Sequence, residues 1–211
     1  RIDVGLTGVE VVVPEGVDVD PEALLASKAE WVLDTEATYA ERRARVPDRT
    51  FAPGEPFPFL GEDRELVVEP RRDHTVREET IRLRASAVER SSVRDALESC
   101  YRTAAREEFA ARIDRWSERM GVDYDRLEVR NQRTRWGSCS TSGTISLNWR
   151  VVMAPPAIVD YLVVHELAHR REPHHGEAFW AVVAEYDPDY EAHAAWLEEH
   201  AAELVFTEAD L

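Results

Sequence analysis

The stretch Val163 to His175, VVHELAHRREPHH, gathers four of the chain's seven histidines into thirteen positions, with Glu166 between the first two. His165 and His169 are four apart in a run that is helical by length and content, with Ile158, Tyr161, Leu162 and Val164 before and within it. Residues i and i+4 lie one above the other on a helix, so both imidazoles can reach a single ion. Glu166 falls on the neighbouring flank, where a carboxylate serves as a general base rather than a ligand.

This is the H-E-x-x-H spacing of zinc hydrolases. Zinc in a catalytic site takes three protein ligands and keeps one position for water, whose pKa falls to about 7 there. A third ligand must therefore follow His169. Pro173 removes a backbone donor and disfavours helical geometry at Glu172, so the helix is expected to stop near Arg171 and the chain to fold back. His174, His175, Glu185 and Glu191 are the candidates. His175 has the five-residue gap from His169 that metzincins use, but Glu172 stands where those proteins carry glycine. Both methionines, Met120 and Met153, precede the motif, so a Met-turn is absent. Local geometry favours His175, because Gly176 and Glu177 open a new amphipathic helix through Phe179, Trp180, Val183 and Tyr186, ending before Pro188. That helix anchors the residue just before its first turn.

Composition narrows the class. The chain has 211 residues and a net charge of −16. Lys28 is the only lysine among 26 basic residues, which leaves 25 arginines. An acidic, arginine-for-lysine surface suits high salt, where the Debye length shrinks to about 3 Å at about 1 M and self-repulsion is screened. Broad binding to nucleic acid or to an anionic membrane is not expected of such a surface. No apolar run approaches the roughly 18 residues that a membrane span needs. Two cysteines, Cys100 and Cys139, make no disulfide framework, and with no signal peptide seen a cytoplasmic location is expected.

Along the chain, residues 1–19 read as a short hairpin around Gly5 and Gly8. A helix follows, with Asp20 as N-cap and Pro21 in its first turn, placing Leu24 and Trp31 against a sheet. A turn-rich segment leads to strands near Glu65–Glu69 and at Ile81, Leu83 and Ala85. Ser91 to Met120 forms one long helical pattern, capped by Ser91 or Ser92 and stopped by Gly121. Two strands around a Gly/Ser loop come next, then the motif helix. The expected fold class is α+β: a small antiparallel β domain with a helix over 1–88, a connecting helix over 89–121, and an α+β catalytic domain with the HExxH helix over 122–211.

The segment from Arg133 to His200 carries R-W-G-S-C-S, then L-N-W, then H-E-L-x-H, then H-x-x-x-F-W, in that order between Arg135 and Trp180. In these motifs the chain resembles the YgjP-like metal-dependent hydrolases, a family usually described as metallopeptidase-like. The resemblance implies a zincin-like catalytic domain, one zinc ion per chain on His165, His169 and His175, and Glu166 as the catalytic acid and base. In zincins an edge strand beside the catalytic helix takes an extended peptide by strand addition. GTISLNWRV, alternating Ile145, Leu147 and Trp149 against Thr144, Ser146 and Asn148, is the expected strand. Arg135, Trp136, Ser138, Asn148 and Tyr190 are candidate substrate contacts, with Tyr186 and Tyr190 as possible oxyanion donors.

A peptide is the first expected substrate. A nucleotide is the alternative, since Arg130, Arg133 and Arg135 can clamp phosphate or carboxylate bidentately and the same metal could serve a pyrophosphatase. A zinc-stabilised module without catalysis is a third reading, and Glu166 speaks against it, because a structural site has no use for a poised carboxylate. Cys139 as nucleophile with His165 as base is disfavoured for want of an orienting partner. His193 and His200 read as packing or surface residues.

Overall fold

The computed structural model describes the chain apart from residues 14, 15, 17–19, 133 and 211 and the side chain of 209. Its fold is α+β, and it divides by contacts into Arg1–Arg49 with Glu198–Leu211, and Thr50–Leu197. Among the described residues no helix is long and apolar enough to cross a membrane.

The smaller unit opens with the expected hairpin, β1 (Ile2–Gly5) against β2 (Gly8–Val11). The part of the expected hairpin at 14, 15 and 17–19 lies outside the described residues. Asp20 caps the following helix, accepting from the Glu22 amide at 3.0 Å, with proline in the first turn. The single helix expected there is two, α1 (Pro21–Ser27) and α2 (Ala29–Arg43). Ser27 Oγ donates to the Leu24 carbonyl at 2.7 Å just before Lys28, the residue between the two helices, leaves helical geometry. Neither helix buries a residue, and Trp31, expected against a sheet, is 49% exposed. Arg42 and Arg45 pair with Glu198 and Glu199, each at 3.0 Å.

The larger unit contains two sheets. The first has the order β3 (Pro56–Phe59), β4 (Glu62–Glu69), β6 (Thr80–Arg84), β5 (Thr75–Val76), antiparallel at both flanks and parallel between β4 and β6. The turn joining β3 to β4 has Leu60 at φ 53° and Gly61 at φ 78°. Both amides bond the buried 3-10 segment Trp149–Met153, at Val152 O (2.7 Å) and Met153 O (3.2 Å). After a short turn of helix, α3 (Ala85–Val88), comes α4 (Val93–Met120). Ser92 Oγ caps it through the Asp95 amide at 3.0 Å, and Gly121 ends it in the left-handed region. Leu97, Tyr101, Ala105, Phe109, Ile113, Trp116 and Met120 recur every three or four residues and are all buried. Through that stripe α4 packs against β5 and β6, against β7 (Arg126–Arg130), and against α5 (Pro156–Ala168). Residues 88 and 121, suggested as boundaries by the pattern, therefore both fall inside one unit.

The second sheet has the order β7, β9 (Thr144–Asn148), β8 (Gly137–Cys139). Three strands stand where two were expected, and β9 is central, parallel to β7 and antiparallel to β8. The expected edge strand is thus saturated on both sides, and β8 is an edge. The alternating pattern of GTISLNWRV marks two packed faces, not a free margin.

Helix α5 is buried almost all round, by Ile158, Val159, Leu162, Val163, Val164, Leu167 and Ala168 among others. One polar clamp fixes it to α4. Asp160 accepts from Arg112 (2.8 Å), Arg115 (2.6 Å) and Trp116 Nε1 (3.0 Å). Removing a partly buried acceptor of charged donors costs about 2 kcal/mol after solvent screening is allowed for. Asp160→Ala is expected to lower unfolding stability by that amount in a urea titration, and a loss below about 0.5 kcal/mol would show the clamp to be dispensable.

Candidate metal centre

The apolar length of α5 carries the motif into the core, and its last turn presents His165 and Glu166. His169 is the C-cap residue, in helical geometry, so the helix ends slightly before the expected Arg171. The turn continues through amide bonds from Arg170 to Leu167 O and from Arg171 to Ala168 O, both 2.9 Å, before Pro173 stops it. The returning loop is stapled by two arginines that the sequence reading passed over. Arg170 donates to Asp123 O (3.0 Å) and Thr141 O (3.1 Å), and Arg171 donates to Met120 O and to the Tyr186 hydroxyl. Helix α6 (Glu177–Tyr186) then starts just after His175, followed by α7 (Tyr190–Glu199).

This path brings His165, His169 and His175 together, with one ring nitrogen of each within 4.8 Å of the others. His165 Nε2 and His175 Nε2 are 3.1 Å apart. His169 Nδ1 lies 3.2 Å from the Glu172 carbonyl, which places a proton on Nδ1 and leaves the lone pair of Nε2 free. Phe179, fully buried, forms the floor, with ring centroids 5.0, 4.5 and 4.7 Å from the three imidazoles in chain order. Trp180 stacks on His175 and on Tyr190. Phe179 is both an apolar anchor of α6 and the phenylalanine of H-x-x-x-F-W, and its place four residues after His175, about one helical turn, sets it under that ring.

The other ligand candidates go elsewhere. His174 is exposed on the cleft wall, Glu185 pairs with Arg171 at 3.7 Å, and Glu191 accepts from the Tyr190 hydroxyl at 3.3 Å. Burial and the two neighbouring imidazoles depress His165 to about 4, so its ring is neutral in ordinary buffers. Burial lowers His169 as well.

Glu166 is 4% exposed, and its Oε2 is buried without a hydrogen-bond partner. Burial pushes its carboxyl up to about 8, opposed by the Arg135 guanidinium. Three imidazoles with converging nitrogens, in one cleft with a carboxyl group whose Oε2 has no partner, suit a divalent ion. Tetrahedral zinc with bonds of about 2.0–2.1 Å sets nitrogens about 3.3 Å apart, close to the His165–His175 spacing. Without a cation, a proton on either nitrogen makes the same contact an N–H···N hydrogen bond.

A cleft of about 890 Å³ opens over this cluster, lined in part by Arg135, Ser138, Cys139, Glu166 and Arg170. Of the expected substrate contacts, Arg135 and Ser138 line it, while Trp136, Asn148 and Tyr190 do not. Asn148 is 2% exposed and fully engaged, its Oδ1 accepting from the Arg150 amide at 3.1 Å and its Nδ2 donating to Gln132 O at 2.6 Å. It caps the 3-10 segment instead of facing a ligand. Tyr190 is occupied by Trp180 and Glu191. Arg130 is paired with Glu128, and Arg133 lies outside the described residues. Burial raises Cys139, with Arg170 opposing, which keeps it a thiol and argues against a nucleophilic role. His193, read as a packing residue, pairs with Asp187 at 2.8 Å.

The Glu166 shift has a sign that can be measured. Its folded-state pKa lies above the ordinary value, so its contribution is fully present below about 4.5 and is lost as pH rises through about 8. In metal-free protein the native chain is expected to lose stability relative to Glu166→Gln across that window in urea unfolding. Parallel profiles would contradict the burial argument.

The family model of the YgjP-like metallopeptidase domain matches residues 1–200. No curated protein matches the chain. Among solved structures, the metallopeptidase zymogen of Methanocaldococcus jannaschii jannalysin is 18% identical with a TM-score of 0.39, covering 42% of this chain and 92% of that one. That partial likeness carries no argument, whereas the family match spans nearly the whole sequence. The chain belongs to the YgjP-like metallopeptidase-domain family.

Proposed function

We propose that this chain is a zinc-dependent peptidase in which His165, His169 and His175 hold the metal and Glu166 moves the proton. One observation carries the reading: three ring nitrogens within 4.8 Å of one another line one cleft with Glu166, whose buried Oε2 has no partner among the described residues. Zinc held there supplies Lewis acidity, lowering the pKa of a water molecule toward about 7 and polarising a scissile carbonyl.

The chain's own groups account for the rest. Glu166 accepts the proton of the attacking water and returns it to the leaving amine. This needs its carboxylate form, which a cation on the imidazoles would favour against the burial that raises its pKa to about 8 in the metal-free chain. Burial keeps His165 in its ligand form, and the Glu172 carbonyl orients His169 with Nε2 toward the ion. Strand β8 aligns the substrate. The ladder to β9 runs through Trp136, Ser138 and Ser140, so Gly137 and Cys139 direct their amide and carbonyl groups to the free edge. An extended peptide laid there by strand addition passes beside Glu166.

The nucleotide reading fits the cleft less well. Arg130 is paired with Glu128 and Arg170 is spent on two backbone carbonyls. Among the described residues that leaves Arg135 as the guanidinium available to a phosphate, which is thin for a polyphosphate. A purely structural zinc site leaves Glu166 unexplained. The net charge of −16 and the reduced Cys100 and Cys139 support a working place in salty, reducing cytoplasm.

Glu166→Gln keeps the side chain's shape and removes its basicity. It is expected to retain zinc while peptide hydrolysis falls at least about 100-fold. Undiminished turnover on a peptide library, or phosphate release from nucleoside triphosphates without peptide cleavage by the native protein, would overturn the assignment. His175→Ala is expected to weaken zinc binding by about 100-fold or more in a chelator competition, with His174→Ala close to native. The reverse order would make His174 the ligand.

A further inference from the structure

Gly137 opens β8, and its backbone does not require glycine, since its φ lies outside the left-handed region. The space beside it does. A Cβ on Gly137 would fall 2.9 Å from both Cγ and Cδ of Glu166, and closer still to Oε1. Cβ atoms do not approach heavy atoms that closely, so any side chain at this position forces a displacement.

The surroundings decide what moves. On either side of Gly137, β8 is tied to β9 by Asn148 N to Trp136 O (2.7 Å) and Ser140 N to Thr144 O (3.0 Å). The backbone of Glu166 is locked within α5 among Val163, Val164 and Leu167, all fully buried. The carboxylate, at the end of three rotatable bonds and without a hydrogen bond at Oε2, yields first. We infer that Gly137 is a positioning residue: the side chain it lacks is the slot that holds the Glu166 carboxylate beside the imidazoles and under the edge strand. This rests on the reading of Glu166 as the base. It also gives the glycine of WGSC a role distinct from turn formation.

The test compares native protein, Gly137→Ala, Glu166→Ala and the double variant, each loaded with zinc, with fluorescein-labelled casein as the peptidase probe. Gly137→Ala is expected to keep its zinc and lose at least about 100-fold in kcat, with KM within about threefold. Its Tm should fall by about 4–8 °C in the native background and by less than half of that in Glu166→Ala, where the three atoms nearest the new methyl are gone. Equal Tm losses in the two backgrounds, or an unchanged kcat, would overturn the inference. If Gly137→Ala does not fold, recovery of folding in the double variant supports the same contact, and failure of both overturns it. The stability comparison needs no substrate. Should native protein leave casein intact, the peptidase reading fails while the Gly137–Glu166 contact is still decided.

Discussion

A carboxylate buried without a hydrogen bond is unfavourable by several kcal/mol unless it is protonated or meets a cation. Glu166 is such a group, and much of the larger unit can be understood from how it is kept there. Helix α5 is apolar on nearly every side, so it sinks into the core and takes its last turn with it. Asp160 bonds that helix to α4 at one end, and Arg170 and Arg171 secure the loop at the other. These ties fix the backbone of Glu166 at the floor of the cleft. What can relieve the carboxylate is a proton, or the divalent ion that the three neighbouring imidazoles are arranged to hold.

The same constraint links the metal cluster to substrate alignment. A free sheet edge beside a metal has little use unless the base reaches the bond being cut. Here the strand that presents the edge also leaves space for the Glu166 side chain, the proposed base, because Gly137 has no side chain. Ser138, on the alternate position, spends its backbone on β9 and leaves Gly137 and Cys139 facing outward. In the proposed reaction, one short strand would serve both alignment and proton transfer.

The sequence conveyed the local parts of this arrangement and hid the long-range ones. His165, Glu166 and His169 were readable because helical spacing alone puts them on adjoining flanks. His175 was readable because Pro173 and Gly176 bracket a loop of limited reach. Asn148 was misplaced because alternation reports two faces and cannot tell an edge strand from a central one, which depends on β7 and β8 pairing from elsewhere in the chain. The break at Lys28 has no evident local signal in the sequence. The stripe on α4 was visible, but not that it would join both sheets in one unit. No local signal tells that the glycine of WGSC meets Glu166, twenty-nine residues further on.

X-ray absorption at the zinc edge of the loaded protein tests the central claim most directly, because it reports the coordination shell without a substrate. Three imidazole nitrogens at about 2.0–2.1 Å and one further oxygen are expected, with no sulfur. A scatterer at about 2.3 Å would bring Cys139 or Cys100 into the shell, and a fourth imidazole would close the position that water needs. Either result would contradict a hydrolytic centre built on His165, His169, His175 and Glu166.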